Sequence, residues 1–335
     1  MVKTWEQLEE LQPTVLRMLK MSLIKNRVAH AYLFEGPRGT GKKEAGLLFT
    51  KALFCPSLID GYKPCETCHN CRRINHGNHP DVHIIQPDGL SIKVEQIRSL
   101  QAEFSKKGLE SLKKVYLIVD ADKMSISASN SLLKFLEEPS AQTTAFLLTE
   151  QPQRILPTIQ SRCQALAFQP LAPKMMVKQL VENGVAPEKA QLLANLTNNL
   201  EEAISLNTNE WFAQAQKIVV KLYEVLNKSP FEAFVLLQTD WFSHFKEKDQ
   251  VNLGLDLLLL IFKDLLYIQL DKRTQIVFKE VSSRLEQFAL QTSGRRLSIQ
   301  MSAILEAKRK LSANMNPQLL MEQLVLKLQE GSSFV

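Results

Sequence analysis

Two groups of residues in this sequence have the types and spacing that chemistry requires. The first is Gly36-Pro37-Arg38-Gly39-Thr40-Gly41-Lys42, inside AYLFEGPRGTGKKEAG, which runs from Ala31 to Gly46. An apolar run (Tyr32, Leu33, Phe34) leads into it, and a helix-compatible segment, Glu44 to Leu53, follows. Strand, glycine loop and helix in that order are the setting in which the spacing G-x-x-x-x-G-K holds phosphate. The glycines let backbone N–H groups turn toward an anion, the helix N-terminus adds partial positive charge, and Lys42 supplies a mobile ammonium. The next residue should carry a hydroxyl for Mg²⁺, and here it is Lys43, a cation that ligates no metal. Gly36, Gly39, Thr40, Gly41 and Lys42 are thus candidate nucleotide-binding residues of a degenerate loop. They leave two readings open, phosphate held without turnover and nothing held at all, and they argue against metal-assisted hydrolysis.

The second group is a set of cysteines in CPSLIDGYKPCETCHNCRRINHGNHPD, residues 55–81. Cys65, Cys68 and Cys71 form two overlapping Cys-x-x-Cys steps, a knuckle able to hold one side of a tetrahedron, and Cys55 supplies a fourth thiolate. An all-sulfur set suits structural zinc. An iron–sulfur cluster is the lesser alternative, since no Cys-Pro follows, and unliganded thiols are another. His69, His76 and His79 could compete as ligands, but with four cysteines present they read as surface loop residues.

These groups need elements to position them. The chain has 335 residues, more than one ordinary core accommodates, with 45% apolar and 23% charged residues and a net charge of +6. That mild basic bias permits nucleic-acid contact without arguing for it. Met1 to Leu11 is polar and acidic, unlike an export signal, and Leu253 to Leu270 contains Asp256, Lys263 and Asp264, unlike a membrane span. With cysteines clustered for metal, a cytoplasmic protein without membrane contact is expected. Residues 4–27 read as one or two amphipathic helices. Strands are expected at Tyr32, at Val82 to Gln86, over residues 115–122 and at Ala145 to Thr149, with helices over Ile92 to Phe104 and Ser127 to Glu138 between them. That alternation predicts a parallel α/β domain over 1–168, interrupted by a metal module at 55–71. Beyond it only helical patterns occur: a small unit over 169–208 and longer helices over 209–335, among them Ala213–Leu226, Leu253–Leu270 and Gln300–Leu311.

Three further features, LLKFLEEP (Leu132 to Pro139), TIQSRCQ (Thr158 to Gln164) and the four-cysteine insert, taken with the glycine loop, resemble the AAA+ clamp-loader subunits of bacterial DNA polymerase III. NHPDVHIIQPDG and LLANLTNNLEEA narrow the resemblance to a single subunit type in its Gram-positive form. The resemblance covers nearly the whole chain. It implies a P-loop, RecA-like AAA+ domain with a zinc module, then a helical lid and an all-α collar. It also implies a heteropentamer with tau/gamma-type and delta-type subunits, which opens a sliding clamp and closes it on primed DNA.

Departures from the family pattern separate the subunits. Hydrolysing relatives end a strand in Asp-Glu; gap-free from Val115 to Asn130 those positions are Val119 and Asp120, or Asp120 and Ala121 after a slip, so one acid is missing. The lid's sensor arginine aligns with Glu201, which repels phosphate. With Lys43, three parts of the hydrolytic machine are absent, and phosphoryl transfer rests on such positioning and electrostatics. Ser161-Arg162-Cys163, in contrast, matches the family's arginine finger, which stabilises γ-phosphate charge in the adjacent subunit's site. The expected function is a non-hydrolysing subunit that helps assemble the loader and donates Arg162 in trans, with ATP and Mg²⁺ binding at its own loop left open.

Alone, Arg162 reads as a domain-joining arginine, Asp120 and Asp122 as solvated strand-end acids, and Glu137 and Glu138 as helix-end and interface charges. Cys163 reads as buried near the finger, and Lys93 and Arg98 as surface cations in the first turns of a helix, where relatives approach the DNA backbone. Trp211, Trp241 and Phe242 could be core or subunit contacts. Two rivals stand beside the expected function: an active loader ATPase, and a stand-alone zinc-containing nucleic-acid-binding protein. Polymerase chemistry in this chain is not expected; it would belong to the holoenzyme.

Overall fold

The computed structural model describes residues 4–105, 113–137, 142–226 and 229–329. The chain forms two compact units, Met1–Leu171 and Ala172–Val335.

The first unit opens with helices α1 (Trp5–Leu11) and α2 (Pro13–Ile24). A reciprocal cap fixes the start of α1: the Thr4 hydroxyl accepts from the Gln7 N–H, and the Gln7 side chain accepts from the Thr4 N–H. There follow β1 (Ala31–Glu35), α3 (Lys42–Phe54), α4 (His69–Asn75), β2 (Val82–Ile85), α5 (Val94–Ser105), β3 (Lys114–Ile118) and α6 (Ile126–Glu137). The unit closes with β4 (Thr143–Thr149), α7 (Pro157–Gln160) and β5 (Gln164–Ala167). The strands make one parallel sheet in the order β2-β3-β4-β1-β5, so β1 is an interior strand, between β4 and β5, and it opens directly into the glycine loop. Helices cover both faces, which is why β1, β3 and β4 read as near-continuous apolar runs. Tyr32 and Phe34 meet Phe146 on one face, where Phe49 of α3 also packs. Leu33, Tyr116 and Leu147 pack on the other face with Ile97 of α5 and Leu132 of α6.

Three local expectations change. The strand over 115–122 ends at Ile118, because Asp120 takes a left-handed backbone (φ 53°) and Ala121–Lys123 coil into a 3-10 turn. The edge strand β5 gave no apolar run to read, since Leu166 is its sole buried residue. Lys93 precedes α5 rather than lying in its first turn. Glu138 and Pro139 lie outside the described residues.

The second unit is helical throughout its described residues. It begins with α8 (Pro173–Glu182), α9 (Pro187–Leu196) and α10 (Leu200–Asn207). Next come α11 (Glu210–Leu226), α12 (Pro230–Leu236), a π-helical turn at Leu237–Trp241 and α13 (Phe242–His244). The unit ends with α14 (Lys248–Gln269), α15 (Ser282–Gln291), α16 (Gly294–Ser312) and α17 (Pro317–Gln329). Proline at the first turn of α8 and α9 costs no hydrogen bond, because that N–H has no intrahelical partner. Trp241 is wholly buried, whereas Trp211 stacks on His244 at 4.7 Å and Phe242 is half-buried. No described helix is long and apolar enough to cross a membrane.

Candidate functional site: a closed glycine loop, a sulfur cluster and an exposed arginine

The glycine loop between β1 and α3 demands its glycines. Gly36 has φ 147°, and a Cβ there would lie 2.3 Å from the Phe168 carbonyl oxygen. Gly41 has φ 89°, and its Cβ would meet Leu8 of α1 at 2.7 Å. The loop's carbonyls are occupied from within. Lys42 donates from Nζ to Gly36 O at 2.6 Å and to Pro37 O at 2.7 Å, and the buried Thr40 hydroxyl donates to Pro37 O at 2.9 Å. Burial lowers the Lys42 pKa, and the fields of Glu150, Asp120 and Asp122 oppose that shift. Gln12, also buried, donates to Thr40 O at 3.2 Å and Gln169 O at 2.7 Å and accepts from Gln169 N at 3.0 Å. Two of the three ammonium hydrogens of Lys42 are therefore committed to the loop itself.

The acids near the loop have partners of their own. Val119 stands just beyond β3, and Asp120 pairs with Lys123 at 2.9 Å. Asp122 accepts from the Thr149 hydroxyl at 2.6 Å and from the Glu150 N–H at 3.2 Å. Glu201 belongs to the second unit, exposed in the first turn of α10. Lys93 is exposed and pairs with Asp88 at 3.1 Å, and Arg98 is exposed on α5.

The four sulfurs do converge. The Sγ atoms of Cys55, Cys65, Cys68 and Cys71 all lie within 4.8 Å of one another, and none is in a disulfide. A tetrahedron with bonds of about 2.3 Å has edges of about 3.8 Å, so the set fits one metal ion. Local geometry assembles it. Cys55 caps the C-terminus of α3 and Cys68 the N-terminus of α4. Backbone N–H groups of Cys65, Cys68 and Cys71 donate to the sulfurs of Cys55, Cys65 and Cys68 at 3.3–3.4 Å. Those of Cys68 and Thr67 help hold the Cys65 thiol down to about 6, while burial pushes Cys55 and Cys71 up. A cation is what would keep buried sulfurs of this kind ionised. Beside them Lys51, fully buried on α3, pairs with both carboxylate oxygens of Glu66 at 2.5 and 2.6 Å. His69 and His76 are exposed, as the sequence reading expects of them. His79 departs from it: its ring is buried against Phe54 at 4.6 Å, and its Nδ1 accepts from Asp81 N.

Arg162 sits just past α7 with its side chain 36% exposed. Its Nη2 meets Glu137 Oε1 at 2.8 Å, and Nη1 donates to Thr158 O at 3.0 Å and to Ser161 Oγ at 3.4 Å. Cys163 is part-buried against the sheet core, which pushes its thiol up to about 12. The contacts that Leu8, Gln12, Thr149 and the Lys51–Glu66 pair make carried no readable signal in the sequence, because each partner is distant along the chain.

A parallel sheet with a glycine loop after an interior strand, a four-cysteine insert and a helical second unit define a P-loop-type α/β protein with a helical C-terminal unit. Comparison with known proteins agrees. The profile described as "DNA polymerase III, delta subunit" matches residues 11–172, and "DNA polymerase III, delta subunit, C terminal" matches residues 238–330. The DNA polymerase III subunit delta' of Bacillus subtilis is 52% identical over 331 residues, covering 99% of this chain and 100% of that one. That of Pseudomonas aeruginosa is 35% identical over 172 residues, half of this chain and 51% of the other. A solved gamma subunit-related protein from Thermotoga maritima aligns with 94% of this chain and 99% of its own at 19% identity, with a TM-score of 0.46. The chain belongs to the delta-prime subunits of DNA polymerase III.

Proposed function

We propose that this chain is a non-hydrolysing clamp-loader subunit that completes its neighbour's ATP site with Arg162. The observation that carries this reading is the opposite disposition of two cations. Lys42 is buried and turned onto its own loop's carbonyls, whereas Arg162 is half-exposed just past α7, held by Glu137 and Thr158 with N–H donors to spare. Lys43, Glu201 and the acid missing at Val119 or, after a slip, at Ala121 support the same reading, because each replaces a group that hydrolysis needs. ATP and Mg²⁺ have no catalytic part at this chain's own loop. The cysteine cluster holds structural zinc, a redox-inert ion suited to four thiolates.

In this reading the chain assembles cytoplasmically with tau/gamma-type and delta-type subunits into a heteropentamer. That complex places the sliding clamp on primed DNA. Residues 169–208 serve as lid and 209–335 as collar. A guanidinium supplied in trans is worth on the order of 10³-fold or more at the site it serves. The test is reconstitution with the ATPase subunits, comparing wild type with Arg162→Ala. Turnover at one site of the complex should be lost; an unchanged rate would remove the finger role. Robust MgATP hydrolysis by the isolated chain would favour an active ATPase instead.

A further inference from the structure

We infer that Glu137 is the positioning residue of Arg162: it fixes the guanidinium in the pose from which it reaches a triphosphate. The inference rests on the finger role proposed above.

Both ends of the arginine are held. At the base, Ile159 is fully buried, the Arg162 N–H donates to Ile159 O at 3.1 Å, and Cys163 packs against the sheet core. Only the side-chain torsions remain to be set. At the tip, Nη1 is directed to Thr158 O, and Nη2 to the Glu137 carboxylate at 2.8 Å. Glu137 is the last described residue of α6, a helix anchored in the core by Leu132 and by Leu136, the residue next to it. An exposed ion pair alone is worth little. Here, however, separate acceptors grip the two terminal nitrogens of one planar group, and that defines a plane as well as a distance. A guanidinium has five N–H donors, so this grip still leaves donors for phosphate oxygens. Glu137 need not leave when Arg162 engages.

The reconstituted complex provides the test, with ATP as substrate and assembly checked for every variant. Glu137→Ala should lower kcat by about 2- to 5-fold at the site served, the scale of an exposed pair, with KM for ATP unchanged. Glu137→Gln keeps an oxygen acceptor and should recover most of that loss. The double variant Glu137→Ala/Arg162→Ala should match Arg162→Ala alone, because Glu137 acts only through the arginine. A Glu137→Ala complex as fast as wild type, or faster, would overturn the positioning role, and so would losses that add in the double variant. The Arg162→Ala complex separates the two ideas. If it is slow while Glu137→Ala is normal, only the role of Glu137 fails; if it is itself normal, the finger role fails with it.

Discussion

The ammonium of Lys42 lies 2.6 Å from the carbonyl oxygen of Gly36, six residues back in the same loop. A phosphate-binding loop works by turning N–H groups toward the anion while the lysine waits at its edge. In this loop the lysine serves the carbonyls of Gly36 and Pro37, the Thr40 hydroxyl shares Pro37 with it, and Gln12 serves the carbonyl of Thr40. Nucleotide would therefore find one of the three ammonium hydrogens uncommitted unless it detached Lys42 from Gly36 or Pro37.

That relationship gives Lys42 a structural duty, which a lysine idling beside an empty site would not have. Lys42→Ala should lower the stability of the chain by about 1–2 kcal/mol, since the Gly36 and Pro37 carbonyls lose a charged donor. A denaturant titration of the nucleotide-free protein reads this directly. No change in the unfolding midpoint would mean that the contact contributes nothing.

The sulfur cluster predicts a metal content. The purified protein should carry one zinc ion per chain by elemental analysis, and Cys71→Ser should abolish it, because Cys71 is fully buried among the four. Loss of the ion should cost roughly 3 kcal/mol and first loosen residues 55–75, where caps and N–H···S bonds depend on the sulfurs. Hydrogen exchange over that segment locates the effect. Full metal content in Cys71→Ser would place the site elsewhere.

What the sequence disclosed follows the range of each interaction. The glycine loop and the cysteine knuckle are local codes, in which spacing alone sets geometry, so Gly36 to Lys42 and Cys65 to Cys71 could be read at once. The central strands announced themselves by being buried on both faces. β5 did not, since an edge strand reading QALA hides a single leucine. The closing of the loop was illegible, because Gln12 reaches Gln169 and Asp122 reaches Thr149 only once the sheet has formed. His79 looked like a loop residue in the insert and is instead packed on Phe54, a contact that no periodicity encodes.

Gly254 is a packing position in the middle of α14, and it predicts a reversal of helix propensity. A Cβ there would lie 2.7 Å from Cη2 and 2.9 Å from Cζ2 of the buried Trp241 ring, and 3.1 Å from Phe245. Alanine is the better helix former by about 1 kcal/mol. Overpacking against an indole with no free direction should outweigh that gain and leave Gly254→Ala less stable by about 1–2 kcal/mol. Thermal unfolding and tryptophan fluorescence test this together. A stabilised variant with an unshifted spectrum would show that the ring yields freely.

Asp264, also on α14, predicts a pH dependence of unusual sign. Its carboxylate is fully buried and accepts from Val277 N at 2.9 and 3.1 Å and from Phe278 N at 2.7 Å, pinning the segment before α15. Burial raises its pKa from 3.8 to about 6, although the two N–H groups and the charge of Lys263 pull the other way. A carboxyl raised in the folded state holds its proton there after the unfolded chain has released it. Its contribution to stability is therefore complete below about pH 4 and is lost as pH rises through about 6. The loss approaches about 3 kcal/mol at neutral pH. Asp264→Asn removes this titration while adding a constant offset, because the amide presents N–H to groups that are themselves donors. The stability difference between variant and wild type should accordingly shift in the variant's favour by about 2 kcal/mol between pH 4.5 and pH 7. Denaturant titrations of both proteins across that interval measure the shift. A flat difference would show that the N–H groups of Val277 and Phe278 keep Asp264 ionised throughout.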